Sequence, residues 1–184
     1  MHLPGISQVL RLEETDSTQT VARFLAEQGA PDRTLVWAEL QTAGRGRLRR
    51  CWQSRRGGLY FSLILRPDFA PTRLTELNLL AAQTVAETLA GAGVATEVKP
   101  PNDVMAAQGR KRGKICGILA EAAGNDRRVE WLILGVGINL NNPVQGVKGA
   151  VSLQGLTGRC WEPADVLKHF LERFRPAYAR LNPA

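Results

Sequence analysis

The chain has 184 residues, a net charge of +7 at pH 7 and 44% hydrophobic residues, which is typical of one globular domain and excludes a disordered or fibrous protein. No stretch approaches the roughly 20 apolar residues of a membrane helix, and the N-terminus lacks a signal-peptide core, so we expect a cytoplasmic protein. Three widely separated cysteines and only two histidines favour neither a disulfide framework nor a metal site built by the protein.

Hydrophobic periodicity predicts a helix, two strands and a second helix in the first half of the chain. The first helix covers residues 17–28, after the capping pair Asp16-Ser17. Apolar runs at 35–38 and 59–65 predict buried strands joined by a loop, residues 41–58. Pro71 opens the second helix, which glycines end at residue 91.

In the second half, residues 94–99 predict a strand, and the two prolines of Pro100-Pro101-Asn102-Asp103 predict a turn. The runs 114–121 and 129–138 flank a turn-forming segment and predict an antiparallel hairpin. A third helix starts at Pro163, and we expect Pro176 to end it near Arg175. The predicted fold is therefore α/β or α+β, with a mixed, largely antiparallel sheet and flanking helices. The candidate core residues are Phe24, Leu77, Val85, Phe170 and Phe174.

Positive charge is concentrated in two places. Between Glu39 and Asp68 there is no acidic residue, and six of the arginines there are Arg45, Arg47, Arg49, Arg50, Arg55 and Arg56. A second cluster holds four cations within residues 110–114. Such clusters indicate a phosphate-bearing ligand, either a nucleotide or a nucleic acid, and a solvated loop is the alternative interpretation.

The segment Gly44-Arg45-Gly46-Arg47 alternates a residue that allows close backbone approach with one that makes forked, charged hydrogen bonds. This pattern suits an anion. It differs from a P-loop, which ends in Gly-Lys-Ser/Thr, and from a dinucleotide fingerprint, which opens a helix. Because Arg-Gly repeats also occur in RNA-binding segments, this loop alone leaves a nucleic-acid-binding module open.

Five motifs, in order and spacing, resemble the catalytic domain of biotin protein ligases over about residues 10–180. They are Asp16-Ser17-Thr18, the segment 41–47 with Arg50 and Trp52, Pro101-Asn102-Asp103, the segment 114–119 and the segment 135–139. The resemblance implies the catalytic fold of biotin and lipoate ligases, similar to class II aminoacyl-tRNA synthetases, in one domain over residues 1–184.

The resemblance also implies an activity. Such an enzyme activates biotin with ATP as biotinyl-5′-AMP, releases pyrophosphate, and transfers biotin to one lysine of the biotin carrier domain of a carboxylase. Mg²⁺ is expected to bind through the ATP phosphates and not through protein ligands. A lipoate-type ligase of the same superfamily stays open as an alternative activity. The oligomeric state also stays open, with a homodimer as one possibility.

The resemblance further implies site residues. The catalytic candidates are Lys114, Arg45 and Arg47. Biotin contacts are expected from Ser17, Thr18, Gln41, Gly44, Arg45, Gly46, Lys114 and Gly117. Contacts to ATP or the adenylate are expected from Arg47, Arg50, Asn102, Asp103, Lys114 and Asn139. Fixed cations cancel the repulsion between a carboxylate and a polyphosphate, and short polar side chains suit the ureido ring. Gly117 would let the backbone lie against the flat biotin bicycle.

Four positions depart from the family pattern: Pro100 replaces a tryptophan, Arg49 a common glycine, Cys51 a frequent charged residue, and Cys116 a glycine or alanine beside the pocket, which we expect Cys116 to narrow. Ser17 has a second interpretation as a helix N-cap. Only sixteen residues precede it, so we expect no helix-turn-helix domain and no sequence-specific DNA binding. We also expect the small C-terminal β-barrel of many relatives to be absent.

Overall fold

The computed structural model describes residues 3–182. They form seven strands and four helices. The strands are β1 Gln8–Thr15, β2 Thr34–Gln41, β3 Leu59–Leu65, β4 Ala95–Lys99, β5 Asp103–Gln108, β6 Lys111–Gly124 and β7 Val129–Ile138. The helices are α1 Thr18–Glu27, α2 Leu74–Ala90, α3 Leu153–Thr157 and α4 Pro163–Leu181. Short 3₁₀ turns lie at Arg47–Arg49 and Pro71–Arg73.

The seven strands form one sheet in the order β1-β2-β3-β7-β6-β5-β4. β1 and β2 run parallel, and the other neighbouring pairs in the described sheet are antiparallel. The predicted mixed, largely antiparallel sheet is therefore confirmed, and so is the hairpin, now β6–β7. No helix of residues 3–182 is long and apolar enough to cross a membrane.

The two faces of the sheet have different coverings. On one face, α2 and α4 pack over a large apolar core that includes Phe61, Leu63 and Leu134. Phe61 and Phe170 meet there with ring centroids 5.4 Å apart. On the other face, α1 covers β2, β3 and β7 through a smaller cluster around Ile64 and Ile133. Because side chains alternate along a strand, each strand supplies both faces.

The first helix begins where its cap predicts, but one of its core assignments is wrong. The Ser17 hydroxyl accepts a hydrogen bond from the Gln19 amide at 3.3 Å, which confirms the N-cap interpretation. The buried residues Ala22 and Ala26 mark the packed side of α1. Phe24 lies two residues from each, about 200° around the helix, and is 61% exposed. Phe24 is thus a surface residue, not a core residue.

The expected end of the last helix is also wrong. α4 continues through Pro176 to Leu181. Proline in a helix removes one backbone hydrogen bond and costs about 3 kcal/mol or more. Beyond it, however, Leu181 is buried in the core and Tyr178 stacks on Phe174 with centroids 5.5 Å apart. Packing of the last turns therefore offsets the cost of the proline.

Candidate functional site

The site lies on the α1 face of the sheet, beyond the part that the helix covers. Gly117 of β6 and Gly137 of β7 are register partners there and form a flat glycine floor. The indole of Trp52 lies on this floor. A β-carbon at Gly117 would stand 2.9 Å from the ring, and one at Gly137 would stand 2.5 Å from its Nε1. A side chain at either position would push a flat group off the floor.

Trp52 belongs to the arginine loop, which we define as residues 42–58 between β2 and β3. The loop folds on itself, because the Trp52 amide donates to the Gly44 carbonyl and the Gly46 amide to the Arg50 carbonyl, both at 2.8 Å. A β-carbon at Gly44 would overlap the Trp52 carbonyl oxygen. Gly44 is therefore required for folding of the loop. The tip places Arg49 at φ 59°, a left-handed conformation that glycine adopts more readily.

Arg45 is held by a carboxylate on the sheet. Its Nη2 lies 2.8 Å from Glu121 Oε1, and Nη2 of Arg23 lies 3.0 Å from the same oxygen. Glu121 Oε2 is buried and has no hydrogen-bond partner among the described residues. Sequence reasoning missed Glu121. The available signal is its spacing of four from Gly117, which places both residues on one face of β6.

Arg47 is tied to the turn before β5. Its Nη1 donates to Asn102 Oδ1 at 3.0 Å. The other end of that amide, Asn102 Nδ2, donates to the Ile118 carbonyl at 2.9 Å. The Asn102 side chain thus links Arg47 to β6. The contacts made by the Asn102 amide are therefore to protein groups.

Lys114 lies beside the glycine floor and lines the larger of the two cavities at the site. Its Nζ is 2.7 Å from Asp103 Oδ1 and 5.3 Å from the centre of the Trp52 ring. Its Cε is 3.4 Å from the β-carbon position of Gly117. Both side chains of the ion pair are about one-third exposed, so the pair is open to exchange with a ligand anion.

The larger cavity has a volume of about 320 Å³ and is lined by Lys114, Arg50, Trp52 and Asn139, among others. Asn139 is buried, and its Oδ1 accepts a hydrogen bond from Asn142 Nδ2 at 3.0 Å. Asn142 Oδ1 is buried and has no partner within residues 3–182. This wall therefore contains a buried amide oxygen without a partner, which sequence reasoning did not identify.

A second, small cavity of about 30 Å³ lies beside the first turn of α1, and Trp52 lines it too. Its wall is a polar network. Thr18 donates to Gln41 Oε1 from its amide at 2.8 Å and from its hydroxyl at 3.1 Å. Gln41 Nε2 donates to the Ser54 hydroxyl at 2.7 Å. The Ser62 hydroxyl lies 2.9 Å from both the Thr18 hydroxyl and Gln19 Oε1.

The structure therefore groups most of the predicted residues around Trp52. Ser17, Thr18, Gln41 and Arg45 line the small cavity, and Arg50, Lys114 and Asn139 line the larger one. Gly44 and Gly46 lie within the arginine loop, Gly117 lies in the floor, and Asn102 and Asp103 contact Arg47 and Lys114. The network members Gln19 and Ser62 were not predicted.

One predicted pocket residue lies elsewhere. Cys116 is fully buried on the core face of β6, because it alternates with Gly117. It does not narrow the pocket, so that expectation is wrong. Burial raises the pKa of its thiol. Cys116 therefore stays protonated and packs as a small apolar side chain.

Comparison with known proteins identifies the family. Residues 12–139 match the model of the Biotin/lipoate A/B protein ligase family. The chain belongs to this family. The resemblance drawn from the five motifs is thereby confirmed.

Similar proteins within this family carry biotin ligase names. The chain is 41% identical to the bifunctional ligase/repressor BirA of Bacillus spizizenii over 88% of its own length and 51% of that protein. It is 34% identical to the biotin–[acetyl-CoA-carboxylase] ligase of Paracoccus denitrificans over 92% of its own length and 70% of that protein. The chain thus spans about half the length of the Bacillus protein.

Solved structures show the same fold. The biotin protein ligase of Aquifex aeolicus in complex with biotin and ATP matches with a TM-score of 0.79 and 33% identity. The match covers 96% of this chain and 72% of that one. The fold predicted by resemblance is therefore confirmed.

Proposed function

We propose that the chain is an ATP-dependent biotin protein ligase. In the first step, a biotin carboxylate oxygen attacks the α-phosphorus of ATP, and the bond to pyrophosphate breaks. In the second step, the ε-amine of an acceptor lysine attacks the acyl carbon of biotinyl-5′-AMP and releases AMP. The observation that carries the proposal is the position of Lys114, which lines the larger cavity 5.3 Å from the ring of Trp52, a residue that lines both cavities.

The first step brings together two anions, and the site supplies the cations that allow it. Lys114 would bridge the biotin carboxylate and the α-phosphate after exchanging its contact with Asp103. Arg45 would face the carboxylate side and Arg47 the phosphates. Mg²⁺ held through the phosphates would supply further charge neutralisation for the leaving pyrophosphate.

The small cavity suits the biotin head group. Ser17, Thr18 and Gln41 offer hydroxyl and amide groups to the ureido ring, and the glycine floor would receive the flat bicycle. The cavity of about 30 Å³ is far too small for that ring system while Trp52 occupies the floor. Biotin therefore binds only when the Trp52 ring moves away. The larger cavity, with Arg50 and Asn139, would hold the adenosine side.

The acceptor in this proposal is the biotin carrier domain of a carboxylase, since the Paracoccus relative is named for acetyl-CoA carboxylase. Because the proposed reaction consumes ATP, the enzyme would act in the cytoplasm. The polar network around Thr18 and Gln41 favours biotin over lipoate, whose dithiolane ring has no N–H or carbonyl group to meet it.

The deciding experiment is detection of the adenylate by mass spectrometry. The purified chain is incubated with ATP, Mg²⁺ and either biotin or lipoate, without an acceptor. We expect biotinyl-5′-AMP to form and to stay bound, and little lipoyl-AMP to form. Preferred formation of lipoyl-AMP would assign the chain to the lipoate branch of its family, and formation of neither adenylate would contradict the proposal.

A further inference from the structure

Acidic residues are absent from three long segments of the sequence. Residues 40–67, 104–120 and 131–161 hold 13 of the 24 basic residues and none of the 17 acidic residues. The remainder of the chain has 11 basic and 17 acidic residues, so its net charge is opposite in sign. The overall charge of +7 is therefore the sum of strongly basic segments and an acidic remainder.

The fold brings these three segments to one place. The arginine loop belongs to the first segment, the β5–β6 turn to the second, and the chain after β7 to the third. A cleft of about 650 Å³ is lined by Arg110, Lys111 and Arg112 on one side and by residues 141–145 on the other. It shares Asn142, Pro143, Val144 and Ala150 with the cavity of Lys114. The basic cleft is thus continuous with the active site.

Several cations of this region have no ion-pair partner among residues 3–182. Arg49, Arg50, Arg110, Arg112 and Lys148 are exposed, and the described residues offer them no ion pair. Two acids at the site are already engaged: Asp103 pairs with Lys114, and Glu121 pairs with Arg23 and Arg45. The positive potential of the rim is therefore available to a partner.

Binding of biotin and ATP does not explain the positive charges of the β5–β6 turn. The cations placed around biotin and ATP are Arg45, Arg47, Arg50 and Lys114, whereas Arg110 and Arg112 lie on the neighbouring cleft and not on the cavity of Lys114. A macromolecular acceptor is different. Its target lysine must enter at Lys114, so the surface around that lysine must cover the adjoining rim.

We infer that the basic cleft around Arg110 and Arg112 docks an acidic surface surrounding the target lysine of the acceptor protein. This inference rests on the proposed function and names the chemistry of its partner. A nucleic acid is the competing partner for a basic surface. It is disfavoured here because single strands bind through stacked aromatic side chains, and no aromatic side chain is among the described residues that line the cleft.

The test uses the double variant Arg110→Glu/Arg112→Glu of the full chain. Its matched control is Arg173→Glu/Arg180→Glu, two exposed arginines of α4 that line neither the cleft nor the cavity of Lys114. The acceptor is a purified biotin carrier domain with acidic residues beside its target lysine, together with a form in which those acids are replaced by lysine. Adenylate formation and the KM for acceptor are measured separately, at low and high salt.

We expect adenylate formation to stay unchanged in both variants. The cleft variant should raise the acceptor KM by at least about tenfold at low salt, with a smaller difference at high salt, because rim charges act mainly through steered association. The charge-reversed acceptor should recover most of the loss with the cleft variant. The control should behave as wild type.

Other outcomes are informative. An unchanged KM for the cleft variant, or an equal loss in the control, would overturn the inference. Loss of binding to a single-stranded polyuridylate by the cleft variant, with acceptor KM unchanged, would assign the cleft to nucleic acid. If the wild-type chain forms no adenylate, the proposed function fails. Docking is then judged from direct titration of the acceptor domain against the wild type and both variants.

Discussion

The two faces of the central sheet are built from the same strands and yet have opposite characters. On β3, Phe61 and Leu63 belong to the apolar core, whereas Ser62 between them joins the polar network of the site. On β6, Ile118 is core and Gly117 is floor. Successive side chains of one strand therefore point in turn to the core and to the site. A register slip of one residue would move the core side chains to the site face and the site side chains to the core face.

The largest expected effect comes from breaking the core face alone. Phe170 is fully buried between Phe61 and Phe174, with ring centroids 5.4 and 5.2 Å away. We expect Phe170→Ala to lower the free energy of unfolding by about 3–5 kcal/mol, because it leaves a cavity. Urea denaturation measures the loss. The folded fraction should still bind biotin, and a site-specific loss of binding without destabilisation would contradict the separation of the faces.

The next effect should appear on the site face and in catalysis only. Lys114→Met keeps the aliphatic stem of the side chain and removes the charge beside Asp103. We expect adenylate formation to fall by about 10²–10³, the usual loss when one group that stabilises developing charge is removed. Single-turnover formation of biotinyl-5′-AMP measures it. Lys168→Met on α4 is the matched control and should retain the wild-type rate; a Lys114→Met enzyme as fast as wild type would remove our role for this residue.

A smaller effect is expected at the glycine floor. Gly137→Ala places a β-carbon against the Trp52 ring, and we expect a destabilisation of about 1–3 kcal/mol from overpacking. The same β-carbon should also weaken biotin binding. A double-mutant cycle with Trp52→Ala separates the two effects. In the Trp52→Ala background the stability loss should vanish while weaker biotin binding persists; a stability loss that persists there would show that the alanine strains the sheet itself.

The smallest effect is expected at a residue that sequence periodicity placed in the core. Phe24 is 61% exposed on α1, so Phe24→Gln should change the free energy of unfolding by no more than about 0.5 kcal/mol. The measurement is the same urea titration used for Phe170→Ala. A loss of several kcal/mol would mean that Phe24 is covered in solution.

Much of the fold follows from local sequence, because buried strands are continuous apolar runs. β3 and β7 have the predicted bounds, residues 59–65 and 129–138. β1 was missed because its segment Arg-Leu-Glu-Glu lies at the sheet edge and is mostly exposed, so it lacks an apolar run. β5 was missed because it follows a proline-rich turn directly. The short helix α3 was not predicted.

The candidate site also contains residues that local sequence reveals and contacts that it does not. The arginines, the glycines and Lys114 can be found from the sequence because their residue types and spacing form a motif. The hydrogen-bond partners of Glu121, Gln19 and Ser62 cannot, because these contacts join residues 43 to 98 positions apart in the chain. Such contacts become visible only when the sheet has brought β3 and β6 beside α1.

Trp52 resting on the glycine floor makes biotin binding an exchange of one ring for another. The floor is already dry before the ligand arrives, and the ring that leaves gains water as the ligand loses it. The net apolar surface removed from water is then smaller than the area of biotin itself. Calorimetry should therefore show a heat-capacity change on binding that is less negative in the wild type than in Trp52→Ala.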